Sequence, residues 1–223
     1  MSKNVKGVLG EQYGKVGPVV ARKFREENVY SAYQKNVANP RTEAQETHRA
    51  RFKAMSELAH NIACGAIFGF RTAAKGTNHS PRNLFQKTNW PFVTATGAGA
   101  ISVDYIGLSV SKGGLSNVHP GVPLFDIPSQ VKVDFQESGS PCQRTKNDKA
   151  YIYVYCPDVK KGILSEPIDI AEETGIVKVP QYWNGMKVHV WIFCRNEGPE
   201  VPEFGIQAFE CSPSTYCGSG DIG

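Results

Sequence analysis

The chain has 223 residues, of which 40% are hydrophobic and 21% charged, with a formal net charge of +4. That mixture supplies enough apolar material for a packed core and excludes wholesale disorder. The longest weakly polar stretch, 62–70, is about half of the roughly 20 residues that cross a bilayer, and no apolar run of a secretory signal follows Met1-Ser2-Lys3-Asn4-Val5-Lys6.

Residues 1–40 are punctuated by Gly7, Gly10, Gly14 and Gly17, with Pro18 closing the set. Glycine at that density favours turns over a self-sufficient core. The runs 19–25 (Val-Val-Ala-Arg-Lys-Phe-Arg) and 29–33 (Val-Tyr-Ser-Ala-Tyr) flank Glu26-Glu27-Asn28, which predicts a hairpin. This zone holds too few large apolar residues to bury itself. It reads as a glycine-rich basic arm that lies against the rest of the chain or a partner.

Residues 41–100 read as helical. Thr42 and Gln45 match a capping box, and Phe52, Met55, Ala59 and Ile62 recur at the spacing of one buried face. Cys64-Gly65 is the expected stop or kink. A second, shorter helix is expected near Ser80-Pro81, with Pro81 at its first position and Leu84 and Phe85 inward.

Residues 101–211 read as strands. The runs 101–106, 131–135, 151–155, 177–179, 188–193 and 204–209 alternate apolar and polar side chains, as half-buried strands do. Turn markers stand at 112–114 and 138–141, and Asn184-Gly185 between Trp183 and Met186 predicts a hairpin. The expected class is α+β, mostly β: an N-terminal arm or hairpin, one or two helices, then an antiparallel sandwich of immunoglobulin or fibronectin type III kind. Residues 212–223 are expected to form a flexible tail.

Motifs for chemistry are sparse. The stretch Gly10 to Val16 approaches a phosphate-binding loop but is one residue short between Gly10 and Gly14, and Val16 stands where the magnesium-binding hydroxyl belongs. His48, His60, His79, His119 and His189 are scattered, and none joins a cysteine or carboxylate at ligand spacing. His189, between Val188 and Val190, should face opposite to both and reads as a surface or satisfied side chain. No nucleophile motif is present, so no enzyme activity, cofactor or metal is expected. The six cysteines read as reduced and mostly buried, with Cys211 and Cys217 the exception to watch.

Charge is unevenly spread. Residues 1–100 carry 15 basic and 6 acidic side chains, whereas 101–223 carry 10 and 15. Lys15, Arg22, Lys23, Phe24, Arg25, Arg41, Arg49, Arg51 and Lys53 form a basic, partly aromatic set that is expected to dock a partner. Protein subunits, further copies of this chain among them, are the expected partner. Nucleic acid is the weaker alternative, since Glu26, Glu27, Glu43 and Glu46 interrupt the run.

Several segments carry a resemblance: Gly14-Lys15-Val16-Gly17-Pro18-Val19-Val20, then 39–45 (Asn-Pro-Arg-Thr-Glu-Ala-Gln), then 49–52 (Arg-Ala-Arg-Phe). Later segments at 103–105, 108–115, 148–150, 180–185 and 188–190 follow in the same order. Together they resemble the domain of unknown function 6266, an uncharacterised family of Bacteroidota and their phages, over most of the chain up to about Ala208. Ala21 replaces that family's usual glycine, and 24–27 replaces its usual tryptophan-lysine-glycine turn. The resemblance implies a bacterial or phage setting and brings no catalytic residues.

The expected role is a non-catalytic assembly protein, a phage virion component (head, neck or tail part) docking through its basic arm. Its expected place is then the virion or the bacterial cytoplasm. The alternatives are a ligand- or glycan-binding sandwich using loops 112–121 and 139–149, and a nucleic-acid-binding accessory protein. Those loops contain no aromatic residue to stack on a sugar.

Overall fold

Residues 2–4, 13–24, 27–36, 41–96, 100–137, 147–196 and 211–223 are described by the computed structural model of the chain. Two units are present, Met1–Thr42 and Glu43–Gly223.

The first unit is one antiparallel sheet. Strands β1 (Ser2–Asn4), β2 (Gly14–Val16), β3 (Val19–Phe24) and β4 (Glu27–Ala32) lie in the order β1-β4-β3-β2. Val16 pairs Val19, so Gly17 and Pro18 form a two-residue turn. Gly17 has φ +61, the conformation that glycine supplies at the head of such turns. The expected β3–β4 hairpin is present, but Phe24 pairs Glu27, so Glu27 and Asn28 already belong to the strand.

The second unit begins with helices α1 (Glu43–Asn61), α2 (Ala63–Ala74) and α3 (Pro81–Asn89), followed by the ribbon of β5 (Val93–Thr96) and β6 (Ala100–Val103). Strands β7 (His119–Pro120), β8 (Gln130–Gln136), β9 (Asp148–Cys156), β10 (Lys161–Leu164), β11 (Ile168–Asp169), β12 (Thr174–Lys178), β13 (Lys187–Asn196) and β14 (Thr215–Asp221) complete it. A five-stranded sheet runs β10-β9-β13-β14, with β11 also on β9, and a three-stranded sheet runs β12-β8-β7. All these pairings are antiparallel.

The strands β9 and β13 are buried on both faces, and the two faces differ in chemistry. Ala150, Ile152, Val154, Val188, Val190 and Ile192 meet Val131, Val133, Phe135 and Val177 of the three-stranded sheet in an aliphatic core. The alternate residues Tyr151, Tyr153, Tyr155, Trp191 and Phe193 meet Met55, Leu58, Ile62, Phe70 and Phe85 of the helices. Period-two alternation thus produces three layers: helices, five-stranded sheet, three-stranded sheet. The class is α+β and mostly β. A helical layer covers the face of the large sheet that points away from the small one.

Local expectations fared unevenly. Ser80 caps α3, accepting a hydrogen bond from the Asn83 amide at 3.2 Å, and Pro81 opens that helix while Leu84 and Phe85 are buried. In α1 the buried stripe is Met55, Leu58 and Ala59, with Ile62 just beyond, but Phe52 is 54% exposed. Cys64-Gly65 does not stop the helix. The break falls at Ile62 and α2 follows at once. The strand expected over 101–106 ends at Val103, because the Asp104 carboxylate accepts from the amides of Ile106 and Gly107 and turns the chain.

Asn184-Gly185 does not join paired strands. Asn184 has φ −58 and ψ 133, Gly185 has φ +76, and the Met186 amide donates to the Trp183 carbonyl at 2.9 Å. This is a type II turn leading from a short 3-10 turn into β13. The tail expected to be flexible contributes the edge strand β14, paired with β13 from Lys187 to Ile192. Among the described residues Cys156, Cys194, Cys211 and Cys217 are reduced. The strand expected at 204–209 and the turn at 138–141 lie outside the described residues. Among the described residues no helix is long and apolar enough to cross a membrane.

Candidate functional site

Strand register sorts the side chains of the first unit. Val16, Val19, Ala21, Tyr30 and Ala32 share one face of the sheet, where Lys23 and Asn28 also stand. Lys15, Val20, Arg22, Val29 and Ser31 share the other. Ala21, Asn28 and Val29 are buried, whereas Val16 is 57% and Tyr13 61% exposed. The Lys15 ammonium sits 3.7 Å from the Tyr33 ring centroid, a cation–π contact at the exposed end of the sheet. The result is a sheet with cations on both faces, Lys23 on one and Lys15 and Arg22 on the other.

The expected docking set divides between the units. Lys15, Arg22 and Lys23 are exposed in the first, with Arg22 and Lys23 on opposite faces. Phe24 closes β3, its side chain lies outside the described residues, and so does Arg25. Arg41 is exposed just before α1, and Arg49 and Lys53 are exposed on α1. Arg51 has a different role. Its Nε donates to the Val93 carbonyl at 2.6 Å, a terminal nitrogen donates to the Trp90 carbonyl, and the guanidinium lies 4.3 Å from the Trp90 ring centroid. The side chain clamps α1 to the turn that leads into β5.

The sequence motifs do not single out the cluster around His189. The ring is buried, its Nδ1 lies 2.9 Å from the Tyr216 hydroxyl, and it stacks on Tyr105 with centroids 4.1 Å apart. Burial, helped by the Lys187 charge, lowers its pKa to about 4. Burial likewise pushes Tyr155 up to about 12, and burial, helped by the negative charge of Asp158, raises Tyr105. His189 faces away from Val188 and Val190, as alternation requires, and is a satisfied side chain. Tyr216 comes from β14, so only the completed sheet brings the cluster together.

Elsewhere on the second unit a hollow of about 320 Å³ is lined by Lys53, His60 and Arg82 of the helices with Lys160 of the β9–β10 turn. Another of about 570 Å³ is lined by His119, Asp134, Glu172 and Glu173 at the small sheet. Among the described residues no group of three or more His, Cys, Asp or Glu is placed to hold a metal ion.

With this geometry in place, comparison with known families is decisive. The model of the family of unknown function DUF6266 matches residues 11–204. The chain belongs to that family. The DUF6266 match takes in β2 to β13 and therefore both units, while β14 lies beyond it. No curated protein matches the DUF6266 chain.

Proposed function

We propose that this DUF6266 chain is a non-catalytic assembly protein, a subunit of a phage particle, that docks on an acidic surface of a neighbouring protein subunit through its N-terminal sheet. The observation that carries this reading is the exposure of apolar side chains and cations in the first unit. A sheet buries its apolar side chains against a second layer; Ala21 and Val29 are buried, and Val16 and Tyr13 are not. Val16 is left exposed on one face, the cations Lys15 and Arg22 on the other, and Tyr13 just before β2, a combination suited to a partner that covers oily surface and answers positive charge. The phage setting rests on the family resemblance, and the docking on the sheet.

Sedimentation velocity of the full chain over a range of concentration tests it, together with a search for the chain in particles released by its source. Association and presence in particles are expected, and Lys15→Glu with Arg22→Glu should weaken association roughly tenfold, as removal of a steering charge pair does. A chain that stays monomeric and is absent from particles overturns the reading. Retention on duplex DNA that falls steeply with salt would put nucleic acid in place of protein.

A further inference from the structure

The three layers of the second unit are charged in opposite senses. The helical layer and β5, residues 43–96, carry seven Lys or Arg and three Glu. The small-sheet layer with its flanking turns, residues 119–137 and 170–178, carries five Asp or Glu and two Lys. These layers lie on opposite sides of the five-stranded sheet, since the aromatic face of β9 and β13 meets the helices and the aliphatic face meets β8 and β12. The unit is therefore polarised across its thickness.

Each outer face also carries exposed apolar side chains. On the small sheet, Leu124 and Ile176 both stand opposite Lys132 in register and form one row across the outward surface. Leu124 is 44% and Ile176 52% exposed. Asp134, hydrogen-bonded to Thr174 and ion-paired with Lys132 at 3.2 Å, borders this row and is held charged by those partners. On the helical layer, Phe52 and Ile67 are exposed, and Lys53, Arg82 and Lys160 surround the hollow between α1, α3 and the β9–β10 turn.

We infer that the basic helical layer of one copy seats on the acidic rim of the small sheet of the next copy, where Asp134, Glu172 and Glu173 line the hollow of about 570 Å³. The occupant is a second copy of this chain because both halves of the complementary pair are present on it. The two patches differ, so the contact is heterologous, and repetition gives a ring or an open stack. The Leu124–Ile176 row on the small sheet supplies apolar contact area, and the charges around it set orientation and speed of encounter. This inference rests on the reading of the chain as an assembly subunit, and names a second contact in addition to the N-terminal sheet.

The test uses full-length chain and two charge-reversed variants, Glu172→Lys with Glu173→Lys, and Lys53→Glu with Lys160→Glu. Wild type should associate at low salt and lose association as salt is raised. Each variant alone should associate roughly tenfold or more weakly, because its reversed face now meets its own like-charged partner face. An equimolar mixture should regain association, since each variant keeps one native face. That recovery also shows that both variants fold. If both variants associate like wild type while Arg22→Glu does not, this inference falls and the N-terminal docking stands. If Arg22→Glu is neutral while the variants lose association and the mixture regains it, the inference stands and the docking falls. Wild type that stays monomeric at low salt overturns the inference, and the docking then turns on the particle search.

Discussion

His189 and Arg51 show how two polar side chains hold this fold by opposite means. A histidine whose folded pKa is depressed to about 4 from an ordinary 6.5 binds its proton more readily when unfolded. It therefore contributes stability that is present above pH 6.5 and is lost as pH falls through about 4. His189→Gln should flatten stability over that window in denaturation curves, and the wild-type imidazole should titrate near pH 4 by NMR. A midpoint near 6.5 would contradict the packing described. Arg51 stays charged and binds two carbonyls. Arg51→Ala should cost about 1–3 kcal/mol, the scale of charged hydrogen bonds to otherwise unpaired groups, read by urea unfolding. The orientation of His189 was legible from simple alternation. The role of Arg51 was not, because its acceptors lie 39 and 42 positions along the chain.

At the scale of elements, helix α2 and strand β14 explain why some of the fold escapes a sequence reading. Helix α2 is apolar nearly all round and contains Gly65, which reads with Cys64 as a stop or kink, and Gly69. They serve close approach instead. A Cβ at Gly69 would stand 2.4 Å from the Val110 carbonyl oxygen, and one at Gly65 2.7 Å from the Tyr153 ring. Gly69→Ala should therefore destabilise by about 1–3 kcal/mol despite its better helix propensity, as overpacking against backbone does. A stabilised variant in urea unfolding would refute this account of the interface. Strand β14 has the composition of a loop, Cys217-Gly218-Ser219-Gly220, yet Gly220 lets the Phe125 ring lie against it where a Cβ would stand 2.4 Å away. Its partners are distant in sequence, so local propensity could not reveal it. The helix α3 and strands β8, β9 and β13 were legible, because their caps and alternation are local.

For the whole molecule, the uneven charge was visible along the chain, but its arrangement in layers needed the fold. The acidic residues of 119–137 and 170–178 are separated in sequence and are gathered by the pairing of β8 with β12. The sequence predicts a basic arm with one hairpin, and the fold adds β1 and β2 at the edges of that hairpin to make a four-stranded sheet. Which face each cation takes depends on register, and appears only when the strands are paired. Hydrogen–deuterium exchange of the full chain at rising concentration tests the central claim most directly. The account predicts that amides of β3 and β4 exchange quickly in dilute monomer and slow as copies associate, while β9 and β13 stay protected throughout. Amides of β3 and β4 that are equally slow in the monomer would show that the sheet needs no neighbour, and would contradict it.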